Sequence, residues 1–406
     1  MRRLPAIPTY FLISAVAGLM FSAMSMVSTI YRVQVVELNP LQLILVGTVL
    51  EAAYFLGEIP TGVVADAYSR KLSLIIGYVM IGLGFVVEGL FPTFGMVLLA
   101  QVIWGVGATF LSGATSAWIA GEIGEERLTS VMIRGGQIGR IASILGIIFG
   151  MTVGAAFNLG LTFVLSGLGM LLLGVLLIFV MPETNFIPAA ADERDTWGKL
   201  AQTFRSGATV VRTSSLLQLI FAIELFFGLS AEGIDRLSEA HLLEDFTWPT
   251  IIVLQPIIWL GLIQIANSLL GIGVTEWLRR KVPEQDDGKT LRAMQALTSV
   301  FILAIIAFAF ATDFKLGVLS YMVLAQARGG AVALYNPWVT KQIEPQVRAT
   351  VLSMWGQMNA IGQMIGGPLV GALATVTTLP LGYASTALLL LPVPFLFEVI
   401  RKRKHR

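Results

Sequence analysis

The sequence predicts an all-α polytopic membrane protein with twelve transmembrane helices. Of its 406 residues, 56% are hydrophobic and 13% charged, against roughly 25% charged in a soluble domain, and the mean hydropathy is +0.80. Such a chain has too little polar surface to face water on all sides. Apolar runs of spanning length, about 20 residues, recur along it. Lys and Arg gather in the segments between alternate runs. The net charge of +2 gives no basic face for nucleic acid, and the absence of cysteine excludes a disulfide framework, a thiol nucleophile and a Cys-type metal site.

The first run, 10–35, follows Met1-Arg2-Arg3; it is too long for a signal peptide, and no small-residue cleavage site is evident. The second, 40–65, opens with Asn39-Pro40, a cap and first-turn pair. Runs at 71–91, 94–121, 129–156 and 160–181 complete a first group, with Pro92 marking one turn. The second group covers 214–240, 250–279, 290–311, 315–340, 348–376 and 380–400, with Pro249 and Pro380 at turns. With a cytoplasmic N-terminus, all Lys and Arg except Arg32, Arg140, Arg236, Lys315 and Arg328 fall on inner segments. This positive-inside bias puts both termini in the cytoplasm.

The longest polar connection, 182–213, carries Asp192-Glu193-Arg194-Asp195 and then Trp197, Leu200 and Phe204 on one helical face. It reads either as a solvated linker or as a helix lying on the inner membrane surface. It divides the chain into an N-terminal half, 1–181, and a C-terminal half, 214–406. The halves repeat each other. Glu276-Trp277-Leu278-Arg279-Arg280-Lys281 follows the eighth run as Asp66-Ala67-Tyr68-Ser69-Arg70-Lys71 follows the second. Pairing Arg127 with Arg348 shifts the chain by 221 residues and sets Gly146 on Gly367 and Gly150 on Gly371.

The stretch Gly62-Val63-Val64-Ala65-Asp66-Ala67-Tyr68-Ser69-Arg70-Lys71 resembles the motif of the major facilitator superfamily, which runs Gly, three residues, Asp, then Arg-x-Gly-Arg-Arg/Lys. Gly62, Asp66, Arg70 and Lys71 match; Ala67 and Ser69 depart from it. The resemblance implies the major facilitator fold, two pseudo-symmetric six-helix halves with the substrate site near the midplane. It also implies a gate: Asp66 on the start of the eleventh helix, and Arg70 with Glu122 at the inner end of the fourth. The alternative is a set of charges that only anchors an inner loop.

Gly139, Gly146, Gly150 and Gly154 on the fifth run, and Gly362, Gly366, Gly367 and Gly371 on the eleventh, have the spacing that lets helices approach closely. Drug/proton antiporters carry a Gly-x-x-x-Gly-Pro-x-x-Gly-Gly signature on the fifth helix; here Ile147 holds the proline position, and Pro368 lies in the second half. The branch most resembled is nevertheless the bacterial drug/proton antiporters. The family's fourth-helix arginine is replaced by Gln101.

Ionisable groups inside spans are functional candidates by default. For substrate binding or proton coupling these are Glu224, Glu232 and Asp235 on the seventh run, Arg328 on the tenth, Glu51, Arg140 and Arg32. Glu232, Asp235 and Glu239 share a helical face, and Glu224 and Arg328 are placed to face each other at mid-depth; the alternative is a structural ion pair that locks two helices. Glu51 and Arg140 are the first-half charges to test, and Arg32 has Glu37 as a structural partner. Glu88, close to the outer turn, is a weaker candidate. Trp104, Phe110, Phe227 and Tyr321, with Trp118, Phe226 and Tyr335, form a candidate aromatic pocket for a lipophilic cation; the alternative is ordinary helix filler, with Trp118 and Tyr335 as interface anchors.

These residues give a secondary transporter of a bacterial-type cytoplasmic (inner) membrane, exporting lipophilic or cationic compounds in exchange for protons by alternating access. The alternative is a carrier or flippase for an amphipathic lipid or anionic metabolite, bound through Arg328 and Arg140. No phosphate-binding Gly-rich loop is present, and no Ser/His/Asp set is visible, so neither ATP drive, an enzyme nor a cofactor is expected. The expected partners are a small-molecule substrate, protons and membrane lipids, and the expected state is a monomer.

Overall fold

The computed structural model describes residues 4–186, 205, 208–249, 254–283 and 286–404. Most of the 182–213 connection, including the surface-helix segment around Trp197, lies outside the described residues. The described residues include fourteen helices with defined bounds. In the first half these are α1 (Ala6–Gln34), α2 (Pro40–Ala67), α3 (Arg70–Leu90), α4 (Phe94–Leu111), α5 (Ala114–Ile123), α6 (Glu125–Ala156) and α7 (Leu159–Val180). In the second they are α8 (Ser215–Glu244), α9 (Pro256–Lys281), α10 (Asp287–Ala309), α11 (Phe314–Lys341), α12 (Arg348–Val376), α13 (Leu379–Leu390) and α14 (Pro392–Lys404). Eleven spans among them, with α4–α5 and α13–α14 each counted once, are long and apolar enough to cross a membrane. The twelfth, α12, has 29 residues and carries Gln357, Asn359 and Gln363 along its length. The protein is a multi-pass integral membrane protein.

Local chemistry sets the ends. Asn39 and Gln42 cap α2 reciprocally: the Gln42 amide donates to Asn39 Oδ1 and the Asn39 amide to Gln42 Oε1. Ser69 caps α3 by accepting from the Leu72 amide at 2.9 Å. Arg70 and Lys71 therefore open a helix rather than occupy a loop. The fourth span is broken where Gly113 takes φ +71°, a left-handed conformation that costs other residues strain.

Two compact units divide the chain. One comprises 1–38, 49–196 and 255–261; the other comprises 39–48, 197–254 and 262–406. Each repeats one packing plan. In the first, α1 lies along α6 and α7, and α3 along α4 and α7. In the second, α8 lies along α12 and α13, and α10 along α11, α13 and α14. Large apolar side chains such as Leu172, Leu303 and Leu388 stay exposed, as a lipid-facing surface requires.

Backbone contacts fix the register of the repeat. A Cβ on Gly146 would lie 2.2 Å from the Leu19 carbonyl oxygen, and one on Gly150 2.5 Å from that of Ala23. A Cβ on Gly362 would lie 2.7 Å from the Leu225 oxygen, and one on Gly366 2.1 Å from that of Leu229. The contacts recur at a shift of 220 residues from α6 to α12 and 210 from α1 to α8: Gly146 on the Leu19 oxygen maps to Gly366 on that of Leu229 (366 − 146, 229 − 19), and Gly18 on the Gly139 oxygen maps to Gly228 on that of Asn359 (228 − 18, 359 − 139). The shift of 221 expected from Arg127 and Arg348 is within one residue of it. Gly367 and Gly371 face Glu232 and the Leu41–Ile44 turn of α2. One residue rotates a helix position by roughly 100°, so spacing alone found the small-residue helices but not the opposing surfaces.

Gly366→Ala should separate α8 from α12 and lower stability by about 1–3 kcal/mol, the usual cost of overpacking. Thermal unfolding in detergent measures it. Gly273→Ala, with nothing within 4 Å of the added methyl, is the control and should be neutral or slightly stabilising. Equal melting of Gly366→Ala and the parent protein would contradict the close approach.

Candidate functional site

Helix α8 carries Glu224, Glu232, Asp235, Arg236 and Glu239 along its length in the second unit, and the helix turn decides which neighbour each meets. At roughly 100° per residue, Glu232 and Asp235 are about 60° apart, enough to send them to different helices. Glu232 accepts from Arg236 Nε at 3.1 Å, and this pair sits where a Cβ on Gly47 would be 1.7 Å from Glu232 Oε2. Asp235 is held bidentately by Arg328 of α11, with Nη2 donating to Oδ2 at 2.9 Å and Nη1 to Oδ1. Glu239 accepts from Gln264 of α9 at 2.8 Å. The shared acidic face expected from the sequence is thus divided among three neighbours.

Glu224 does not meet Arg328 in an ion pair. Its Oε1 accepts from Asn359 Nδ2 of α12 at 2.6 Å, and Asn359 Oδ1 accepts from Gln363 Nε2 at 2.7 Å. No cation pairs with Glu224 among the described residues. Its side chain, on a residue 7% exposed, lines a cavity of about 360 Å3 whose wall also includes Phe227, Tyr335, Trp355, Asp235 and Arg328. Phe227 meets Tyr335 edge-on at 5.7 Å. Tyr335 is 5.9 Å from Trp355 and donates to the Ile220 carbonyl at 3.0 Å. It is buried, so it is no interface anchor.

A second cavity of about 350 Å3, lined by Ser238, Glu239 and Tyr321, shares Asp235, Arg328 and Val332 with the first. The ion pair therefore stands between two hollows, and its side chains are 35% and 43% accessible although they lie within the helix bundle.

In the first unit the buried ion pair is Arg32 with Glu88, Nε to Oε1 at 2.8 Å, rather than Arg32 with Glu37. Glu88 Oε2 accepts from Gln101 Nε2 at 2.7 Å, and the Glu88 carbonyl accepts from Tyr31 Oη at 2.7 Å. Glu88 was discounted for its nearness to a turn, yet it ties three helices. Glu51 is half-buried on α2, and Arg140 is exposed on α6. Trp104 packs 5.6 Å from both Phe21 and Phe85. Phe110 is half-buried, and its carbonyl accepts from Ser73 at 2.7 Å. Trp118 is buried and donates to the Pro182 carbonyl at 2.8 Å, so it is a fastening rather than a pocket wall or an anchor.

The motif region clasps the segment that follows α7. Arg70 Nη1 donates to the Ala117 carbonyl at 2.8 Å and its guanidinium lies 5.6 Å over Phe186, so the Arg70–Glu122 pair is not formed. Glu122 instead accepts from the Thr184 amide and hydroxyl, both at 2.7 Å, and from the Asn185 amide at 3.1 Å. Lys71 Nζ donates to the Ile178 and Met181 carbonyls. Glu183 accepts from Ser69 Oγ at 2.6 Å and from the Lys71 amide at 2.9 Å. Gly62 has nothing within 4 Å of a Cβ position, and the side chain of Asp66 lies outside the described residues. Sequence reasoning missed Asn359, Gln363 and Glu183. The signals were an amide pair four residues apart on an apolar helix and an acid just past a helix end.

The Major Facilitator Superfamily family model matches residues 9–285, more than half of the chain, and the protein belongs to that superfamily. Among curated proteins it is similar to the uncharacterized MFS-type transporter YxaM of Bacillus subtilis (strain 168), 28% identical over 129 residues. That match covers 32% of this chain and 32% of YxaM, about a third of the relative's length. The crystal structure of the nucleoside transporter NupG aligns with TM-score 0.76 at 16% identity, covering 97% of this chain and 98% of NupG. A peptide transporter POT in complex with sulfate aligns with TM-score 0.76 at 14% identity, covering 98% and 94%. At these identities the likeness is one of fold.

Arg328→Gln should destabilise the protein by leaving Asp235 without its counter-charge, and adding Asp235→Asn should restore most of the loss. A double-mutant cycle of unfolding in detergent should give a coupling of about 0.5–3 kcal/mol. Strictly additive losses would show that the two side chains do not act together.

Proposed function

We propose that the protein is a proton-coupled secondary transporter that exports small lipophilic or cationic molecules by alternating access, as drug/proton antiporters do. The observation that carries this reading is Glu224: a buried carboxylate in a cavity with aromatic walls, held by a neutral amide and by no cation among the described residues. In a site shielded from water, a carboxylate favours a bound proton or a bound cation over bare charge. One group serving both in turn is the simplest chemistry of exchange. The cavity volume suits a small organic molecule, and Phe227, Tyr335 and Trp355 offer ring faces to a cation. The anion-carrier alternative has less support, because Asp235 already occupies the Arg328 fork. Glu232, Glu51, Arg140 and Arg32 stay in this reading as further coupling candidates, and Gly62, Asp66, Arg70, Lys71 and Glu122 as parts of the gate.

Glu224→Gln should abolish accumulation of a cationic dye driven by a pH gradient in proteoliposomes, while binding persists and downhill flux continues without dependence on pH. Accumulation equal to that of the parent protein would remove Glu224 as the coupling group and move the test to Asp235 and Glu51. If those variants are also indifferent, proton exchange is wrong for this protein.

A further inference from the structure

A pocket of about 220 Å3 opens among the ends of α9, α10 and α11. Leu278, Leu334 and Pro337 give it an apolar wall, and Arg279 and Lys341 supply positive charge. Trp338 also lines it. That residue is 2% exposed, and its buried indole Nε1 has no hydrogen-bond partner among the described residues. Buried donors without acceptors are uncommon, and each calls for an explanation such as a missing ligand.

The charges near this pocket have partners of their own. Arg279 uses Nε and Nη2 on Glu276, which also binds Arg280, so the Nη1 edge of Arg279 has no such bond to Glu276. Lys404 lies 5.3 Å over the Trp338 ring and donates to Asp287 and Gln342. Position narrows the occupant further. Arg279 is in the last turn of α9, Thr290 in the first turn of α10, and Lys341 at the end of α11. The pocket therefore lies where three spans leave the bilayer, the level of phospholipid head groups. Basic pockets between spanning helices at that level suit anionic head groups.

We propose that this pocket holds an anionic phospholipid, its phosphate oxygens accepting from Trp338 Nε1, Arg279 and Lys341 and an acyl chain lying on the Leu278–Leu334 wall. Free phosphate would offer the same acceptors but would leave the apolar wall uncovered. The inference stands apart from the proton-exchange reading, since none of these residues lines the Glu224 cavity.

Native mass spectrometry of the purified full-length protein tests it, with dioleoylphosphatidylglycerol, dioleoylphosphatidylcholine and inorganic phosphate as probes. Phosphatidylglycerol should be retained in preference to phosphatidylcholine and should resist competition by phosphate. Retention should fall roughly fivefold for each base removed in Arg279→Gln and Lys341→Gln, about 1 kcal/mol apiece. Trp338→Phe keeps an aromatic ring and removes only the donor, and it should weaken phosphatidylglycerol retention without changing that of phosphatidylcholine. Equal retention of the two lipids, displacement by phosphate, or unchanged retention in the charge variants would overturn the proposal. Should a charge variant fail to fold, unchanged retention in Trp338→Phe would overturn it alone.

Discussion

An ionisable side chain inside a bilayer protein carries a cost that a partner on a neighbouring helix must offset. Helix α8 carries several such side chains, among them Glu224, Glu232, Asp235, Arg236 and Glu239, and the organisation of the second unit follows from answering them. Asn359 reaches Glu224 from α12, Arg328 reaches Asp235 from α11, and Gln264 reaches Glu239 from α9. Glu232 and Arg236 answer each other where Gly47 and Gly367 leave room. The bonds of Glu224, Asp235 and Glu239 tie α8 to three different elements, so one helix serves as the hub. Each of these four acids has a charged or amide partner. Glu224 and Glu239 both accept from a neutral amide and border a cavity, and Glu224 is the exception in being buried there.

That exception depends on how closely two backbones approach. A Cβ on Gly228 would lie 2.2 Å from the Asn359 carbonyl oxygen, so only a glycine there lets α12 come near enough for the Asn359 amide to reach Glu224. In lipid no hydrophobic force presses helices together, and small residues of this kind let packing and hydrogen bonds do so. The repeat register sets Glu224 opposite Ser14 (224 − 210) and Asn359 opposite Gly139 (359 − 220). The first unit has the same backbone crossing, with a Cβ on Gly18 2.7 Å from the Gly139 carbonyl oxygen, but no charge at these positions. Its buried pair, Arg32 and Glu88, sits elsewhere, with Glu88 held by both Arg32 and Gln101. The units share a scaffold, and their chemistry differs.

The sequence made the scaffold legible and the pairings much less so. Hydropathy found the spans because a membrane helix must be apolar for its whole length, and the Asn39 cap was readable because capping is local. The break at Gly113 was missed, since an isolated glycine in an apolar run has no distinguishing pattern. Glu224, Asp235 and Arg328 were recognisable as intramembrane charges, but the two acids lie on nearly the same face of α8, about 16 Å apart along its axis, so which one meets Arg328 is set by the relative depth of α11, which spacing within α8 does not give. Glu88 was undervalued because depth in the membrane was judged from its distance to Pro92. Burial depends instead on the helices around it, and Glu88 is 1% exposed. The aromatic set divides in the same way. Phe227 and Tyr321 line cavities, whereas Trp104 and Trp118 are used in packing and fastening, roles that composition does not separate.

The two copies of the charged motif show how one local pattern is put to different uses. In the first unit the bases look outward from their own helix. Arg70 and Lys71 donate to carbonyls at the ends of other helices, and Glu122 and Glu183 bind the chain after α7 to the same cluster. In the second unit the acid stands on the same helix as the bases, three and four residues away. Glu276 accepts from Arg279 and Arg280 in place, an arrangement natural to helix spacing. The first copy thus spends its charge on fastening a crossing segment. The second satisfies much of its charge within one turn, and Arg279 still borders a pocket at the membrane boundary. What separates them is where the acid lies in the chain: on a neighbouring element it builds tertiary structure, and on the same helix it leaves the surrounding surface open to other partners.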